Sequence, residues 1–71
     1  MTKLGEYLAR KSINKSEVSR KTGISKPRLS ELTLKESAHL RANELYLIAL
    51  AIDADPCDIL KEVCAGVELR G

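Results

Sequence analysis

Apolar residues along the chain fall into short groups at helical spacing, separated by polar punctuation. Leu4, Tyr7 and Leu8 form an i, i+3, i+4 stripe opposite Lys3, Glu6, Arg10 and Lys11, which predicts a first helix from a Thr2 cap to about Lys11. Gly5 costs that helix up to about 1 kcal/mol relative to Ala. It either marks close packing on another helix or carries no meaning. After a loop at Ser12–Asn14, a second helix is expected from Lys15 to Thr22, with Val18 inward, the small Ser19 beside it, and Arg20 and Lys21 outward. A third is expected from about Lys26 to Thr33, with Leu29 and Leu32 inward and Lys26, Arg28, Ser30 and Glu31 outward. Residues Leu34 to Arg41 read as a loop from which Leu40 tucks back. The fourth helix, Ala42 to Ile52, carries the stripe Leu45, Ile48, Ala49, Ile52, with Leu47, Leu50 and Ala51 off it. A helix apolar nearly all round is either central or covered by a partner. The fifth carries Ile59, Leu60 and Val63 and ends near Gly66.

The punctuation between these groups is chemically specific. Asn14 is a candidate N-cap, and Glu17 stands where it can reach back to the Asn14 backbone N–H, completing a capping box. Ile13 is placed to pack on Val18 as a hydrophobic staple. Gly23 closes the second helix, since glycine takes positive φ without steric cost. Ser25 caps the next helix and Pro27 is tolerated within its first turn. Asp55, Pro56 and Asp58 make a strong start for the fifth helix. Two short helices joined at Gly23 make a helix-turn-helix, whose second helix is the natural one to enter a DNA major groove. The expected fold class is all-α, five compact helices, with helices two and three as that motif.

Seventy-one residues allow one small domain, expected over 1–71 with its core at about 2–64 and a tail at 65–71. There is no Trp or Phe and only two Tyr, so Leu, Ile, Val and Ala must build the core, which favours helices over sheets. Net charge is +2, but residues 1–41 carry +6 and residues 42–71 carry −4. That asymmetry suits one end facing a polyanion; the alternative is simple solvation of an exposed surface. Two cysteines, Cys57 and Cys64, no signal peptide and no apolar run near the roughly 20 residues of a membrane span point to the cytoplasm. The two thiols are expected as small apolar residues. One His and two Cys are too few ligands for structural zinc, and neither metal nor cofactor is expected. No nucleophile, base and acid share a local context, so an enzyme is not expected.

At the level of whole motifs the chain resembles the Cro/phage-repressor, xenobiotic-response-element type of bacterial helix-turn-helix domain. The resemblance rests on Lys15 at the start of helix two, the pair Val18–Ser19, the turn Gly23–Ile24–Ser25, the inward Leu29 and Leu32, and the run Ile48 to Leu60 at the fourth-to-fifth helix junction. It covers residues 4–63. The family often ends its recognition helix with Glu-x-Gly, the Glu pairing with a basic residue of helix one. Thr33, Leu34 and Lys35 stand there in this chain and Leu8 stands at the helix-one counterpart, so apolar packing is expected in place of the ion pair. Lys15 occupies a position where the family often has a phosphate-binding Gln, a role lysine can fill as a point charge.

The resemblance implies sequence-specific DNA binding by a transcriptional regulator. Base contacts are expected from Lys26 and Arg28 first, as guanine O6/N7 donors, then from Glu31 to cytosine N4, with Ser25, Ser30 and an apolar Pro27 beside them. Glu31 has a competing reading, an i+3 pair with Arg28. Phosphate contacts are expected from Asn14, Lys15, Arg20, Lys21, Lys35 and Arg41, with His39 a weaker candidate. Such domains usually bind palindromes as two-fold dimers, and Leu47, Leu50, Leu60, Val63 and Val67 offer apolar surface for one. The alternative function is an antitoxin-like module that binds a toxin or another partner protein, because one fold can serve both.

Overall fold

The computed structural model describes residues 1–70, and among them the only regular elements are five α-helices: α1 Lys3–Arg10, α2 Lys15–Thr22, α3 Lys26–Leu34, α4 Ala42–Ala51 and α5 Pro56–Val63. They pack as a closed ring. α1 lies on α3 and α5, α4 on α5 and α2, and α2 on α3. The inside of the ring holds Leu4, Tyr7, Leu8, Val18, Leu29, Leu32, Ile48, Ala49 and Ile59. Ile13, Ile24, Leu40, Leu45, Ile52 and Val63 close over this core as partly buried residues. With no large aromatic core residue besides Tyr7, the helices must approach closely to leave no void.

The closest approach is at Gly5. A Cβ there would lie 2.3 Å from the Thr33 carbonyl oxygen, so the glycine marks packing of α1 against the last turn of α3. The same carbonyl accepts the Thr2 N–H at 2.9 Å, and the Thr2 hydroxyl donates to the Leu32 carbonyl at 2.7 Å while accepting from Gly5 N–H. Thr2 therefore caps two helices at once, the N-terminus of α1 and the C-terminus of α3. The family's ion pair has no counterpart here, and both positions are buried. Leu8 is buried, but the junction between α1 and the α3 exit is sealed by backbone carbonyls meeting Thr2 over a bare glycine. Nor is an exit glycine needed: α3 runs one residue past Thr33, and Lys35 leaves it in extended conformation at φ −100°, a region open to any residue.

The caps follow the punctuation with one exception. Asn14 Oδ1 accepts from Ser16 N–H and Glu17 N–H, Ser25 Oγ from Arg28 N–H, and Asp55 Oδ1 from Cys57 N–H. Glu17 does not reach back to Asn14. Its carboxylate takes both Nε and Nη2 of Arg20, at 3.3 and 2.7 Å, because a guanidinium one turn on offers a charged, two-pronged partner where a backbone amide offers one neutral donor. α1 ends at Arg10, one residue early, since Ser12 takes φ 55° and turns the chain so that Ile13 N–H bonds the Leu8 carbonyl. A non-glycine residue held left-handed costs about 1 kcal/mol. Ser12→Gly is accordingly expected to raise stability by about 0.5–1 kcal/mol in urea unfolding, with no change in helix content by circular dichroism. No helix among the described residues is long and apolar enough to cross a membrane.

Candidate nucleic-acid interface

The turn between α2 and α3 is built to a fixed shape. Gly23 sits at φ 80° with open space where a Cβ would be, so its conformation and not its size requires glycine. Its N–H bonds the Ser19 carbonyl, the Ser19 hydroxyl donates to the Ile24 carbonyl at 2.6 Å, and the Thr22 hydroxyl donates to Val18 while accepting Ile24 N–H. Ser19 is thus a tie across the turn as well as a small residue. The apolar pins beneath are Val18, Leu29 and Leu32, all buried.

α3 is anchored at both ends. Its exit is held by Thr2 and Gly5. Its first turn is held by Arg28, whose Nε and Nη2 grip Glu44 Oε2 and Oε1 at 2.9 and 3.0 Å, with Nη2 also donating to the His39 carbonyl at 2.8 Å. Glu44 Oε1 accepts the Arg41 N–H as well, capping α4. α3 and α4 do not pack on one another, so this bridge is what ties them, together with the intervening loop. The Glu44 side chain is 8% exposed and the Arg28 side chain 26%. Hydrogen bonding from Arg28 holds the Glu44 carboxyl below the usual carboxylate range, against the opposing effect of burial and with help from the Arg41 N–H. The i+3 pair of Arg28 with Glu31 is therefore not formed; Arg28 turns to Glu44, which offers a buried bidentate partner.

What α3 leaves outward is Ser25, Lys26, Pro27, Ser30, Glu31 and Leu34, all exposed. Ser25 has its hydroxyl committed to the cap. Lys26 has no ion pair among the described residues, and neither do the exposed Lys15, Lys21, Lys35 and Arg41. Asn14 uses its oxygen as a cap and keeps its amide donors. Arg20 is engaged with Glu17, whose carboxyl it holds below its ordinary value through a side-chain hydrogen bond. Reading a guanine with the Arg28 fork would require opening the Glu44 bridge. Two residues that shape this face lay outside the expected set. Glu44 shares a helical face with Ile48, and a carboxylate on a core-facing stripe is itself a signal for a basic partner. Leu34 follows Pro27, Ser30 and Glu31 at the i, i+3, i+4, i+7 spacing of one outward face.

A tied two-helix motif with the outer face of its second helix bare, in a half of the chain rich in unpaired cations, fits a helix-turn-helix DNA-binding domain. The chain belongs to the Cro/C1-type HTH DNA-binding domain family, whose model matches residues 3–64. Comparisons with curated proteins and with solved structures returned no match.

Proposed function

We propose that the chain is a sequence-specific transcriptional regulator that lays α3 in the major groove and binds a palindromic site as a homodimer. The observation that carries this reading is the α3 face itself: oriented at both ends by contacts inside the protein, exposed along its length, and carrying the unpaired Lys26 and Lys35 at its start and just past its end. Lys26, Ser30 and Glu31 are assigned to base edges, and Asn14, Lys15, Lys21, Lys35 and Arg41 to phosphates. Arg28 is assigned as a positioning residue that aims the helix through Glu44. Arg20 stands as a phosphate ligand only in exchange for Glu17. Selection of bound sequences from a random DNA library tests the reading; enrichment of no sequence would sink it.

Lys15→Ala is expected to weaken binding to all sequences alike and to reduce the slope of log K against log salt by about 0.9, the release of one counterion. An unchanged slope would remove Lys15 from the phosphate set.

For the dimer, Leu50, Leu60 and Val67 are exposed apolar residues, joined by Tyr46. Leu47 is only partly exposed, and Val63 belongs to the protomer's own packing, closing over its core. The dimer surface proposed is therefore Tyr46, Leu50, Leu60 and Val67. A scatter of exposed side chains this apolar also suits an antitoxin-like module bound to another protein. Sedimentation of the purified chain tests the first, a concentration-dependent dimer supporting it and a monomer at high concentration opposing it; co-purification with a small partner protein supports the second.

A further inference from the structure

Leu34 is the one large apolar side chain on the outward face of α3 that its own fold leaves uncovered. It is 54% exposed, whereas Leu29 and Leu32 on the opposite side are at 0% and 3%. With Pro27, Ser30, Glu31 and Lys35 it lines one shallow groove of about 380 Å³ along the helix. The groove runs from Pro27 to Leu34, with the polar Ser30 and Glu31 between; Lys35 lines its far end, and Lys26 precedes Pro27 in the chain. Pro27 and Leu34 lie seven positions apart, a helical rise of about 10.5 Å, close to three base-pair steps at 3.4 Å.

We propose that Leu34 is a specificity-determining residue that reads the C5 methyl of a thymine in the major groove, about three base pairs from the position contacted by Pro27. This rests on the DNA-binding reading above and adds a base class to it. Thymine is the only base of the unmodified duplex that presents a methyl group in that groove, and apolar side chains are its natural contact. Lysines at both ends of the stripe match the phosphate rails of a groove and would be poorly placed against an apolar protein surface. Glu31, between them, repels phosphate and favours placement over base edges. The gain is a desolvation effect: one buried methyl is worth about a fourfold change in affinity.

The test uses the full chain and the best sequence from the library selection. Each thymine is replaced in turn by deoxyuridine, which removes only the C5 methyl, and binding is followed by fluorescence anisotropy for the wild type, Leu34→Ala and Pro27→Ala. One thymine is expected whose replacement weakens wild-type binding about fourfold and leaves Leu34→Ala binding unchanged, and a second about three base pairs away that behaves likewise with Pro27→Ala. Deoxyuridine that is tolerated everywhere, or a penalty that persists in Leu34→Ala, overturns the assignment while leaving DNA binding intact. Leu34→Ala with unaltered DNA affinity overturns it too. Failure of the library to enrich any sequence overturns the DNA-binding reading and this one with it. Leu34 is outside the core, so its truncation leaves the fold for the measurement.

Discussion

Gly5→Ala is expected to destabilise the domain by about 2–3 kcal/mol, although alanine is the better helix former by up to about 1 kcal/mol. The new Cβ would meet the Thr33 carbonyl oxygen at 2.3 Å and Met1 Cγ at 2.6 Å. Met1 is an exposed, flexible side chain and can move aside; the carbonyl belongs to the last turn of α3 and cannot move alone. Relief requires α1 to withdraw from α3, which stretches the Thr2 bonds to Thr33 and Leu32, each worth about 1 kcal/mol. Overpacking and lost caps together exceed the propensity gain, and that decides the sign. For a domain of this length the melting temperature should fall roughly 10–20 °C. Calorimetry that finds Gly5→Ala equal to or above the wild type would show that α1 and α3 do not approach as described. Because the α3 exit is what moves, residual DNA binding should also lose discrimination between sites before it loses affinity for DNA in general.

The second large effect is at Glu44. Glu44→Ala removes both partners of the Arg28 fork and the acceptor for the Arg41 N–H, at an expected cost of about 2 kcal/mol. The cost stays below the full penalty for an orphaned buried charge because Arg28 is a quarter exposed and water can hydrate it. Acid gives an independent readout. The folded state holds the Glu44 carboxyl below its ordinary pKa, so near pH 4 the unfolded chain binds more protons at this group than the folded one. The stabilisation is complete above the ordinary glutamate value and is lost as pH falls through the lower folded value. Glu44→Gln, which cannot titrate, should show a shallower loss of stability between about pH 5 and pH 3 than the wild type. Parallel curves for the two proteins would remove the bridge from the acid response.

Five helices, their order and most of their ends were legible in the chain because each signal is local. Asn14, Ser25 and Asp55 cap through atoms two or three residues away, and Gly23 takes its left-handed turn from its own lack of a side chain. The inward positions Val18, Leu29, Leu32, Ile48 and Ile59 followed from period alone. The side chains that failed to behave as expected are those with a choice of partners. Glu17 chose Arg20 over the backbone of Asn14, and Arg28 chose Glu44 over Glu31. Local spacing ranks the near candidate first, and it has no means of weighing a bidentate partner sixteen residues away. Val63, one of five apolar positions expected at a dimer surface, packs partly against the core of its own protomer, a contact that period alone does not specify.

The sequence by itself determined that a glycine-cornered pair of helices would be presented by an aliphatic all-helical core with its cations gathered in the first 41 residues. Those properties depend on backbone propensity, period and composition, which act within a turn or two of chain. How α3 is held depends on the tertiary fold. Gly5 reads two ways along the chain, and only the fold sets Thr33 against it; Arg28 reads as a free outward cation, and only the fold brings Glu44 within its reach. Both depend on which helices the closed ring brings together, a result of packing the whole core that no single segment encodes. The same packing leaves Leu34 outside and buries Leu32 two residues before it, separating the part of α3 that holds the fold from the part free to meet DNA.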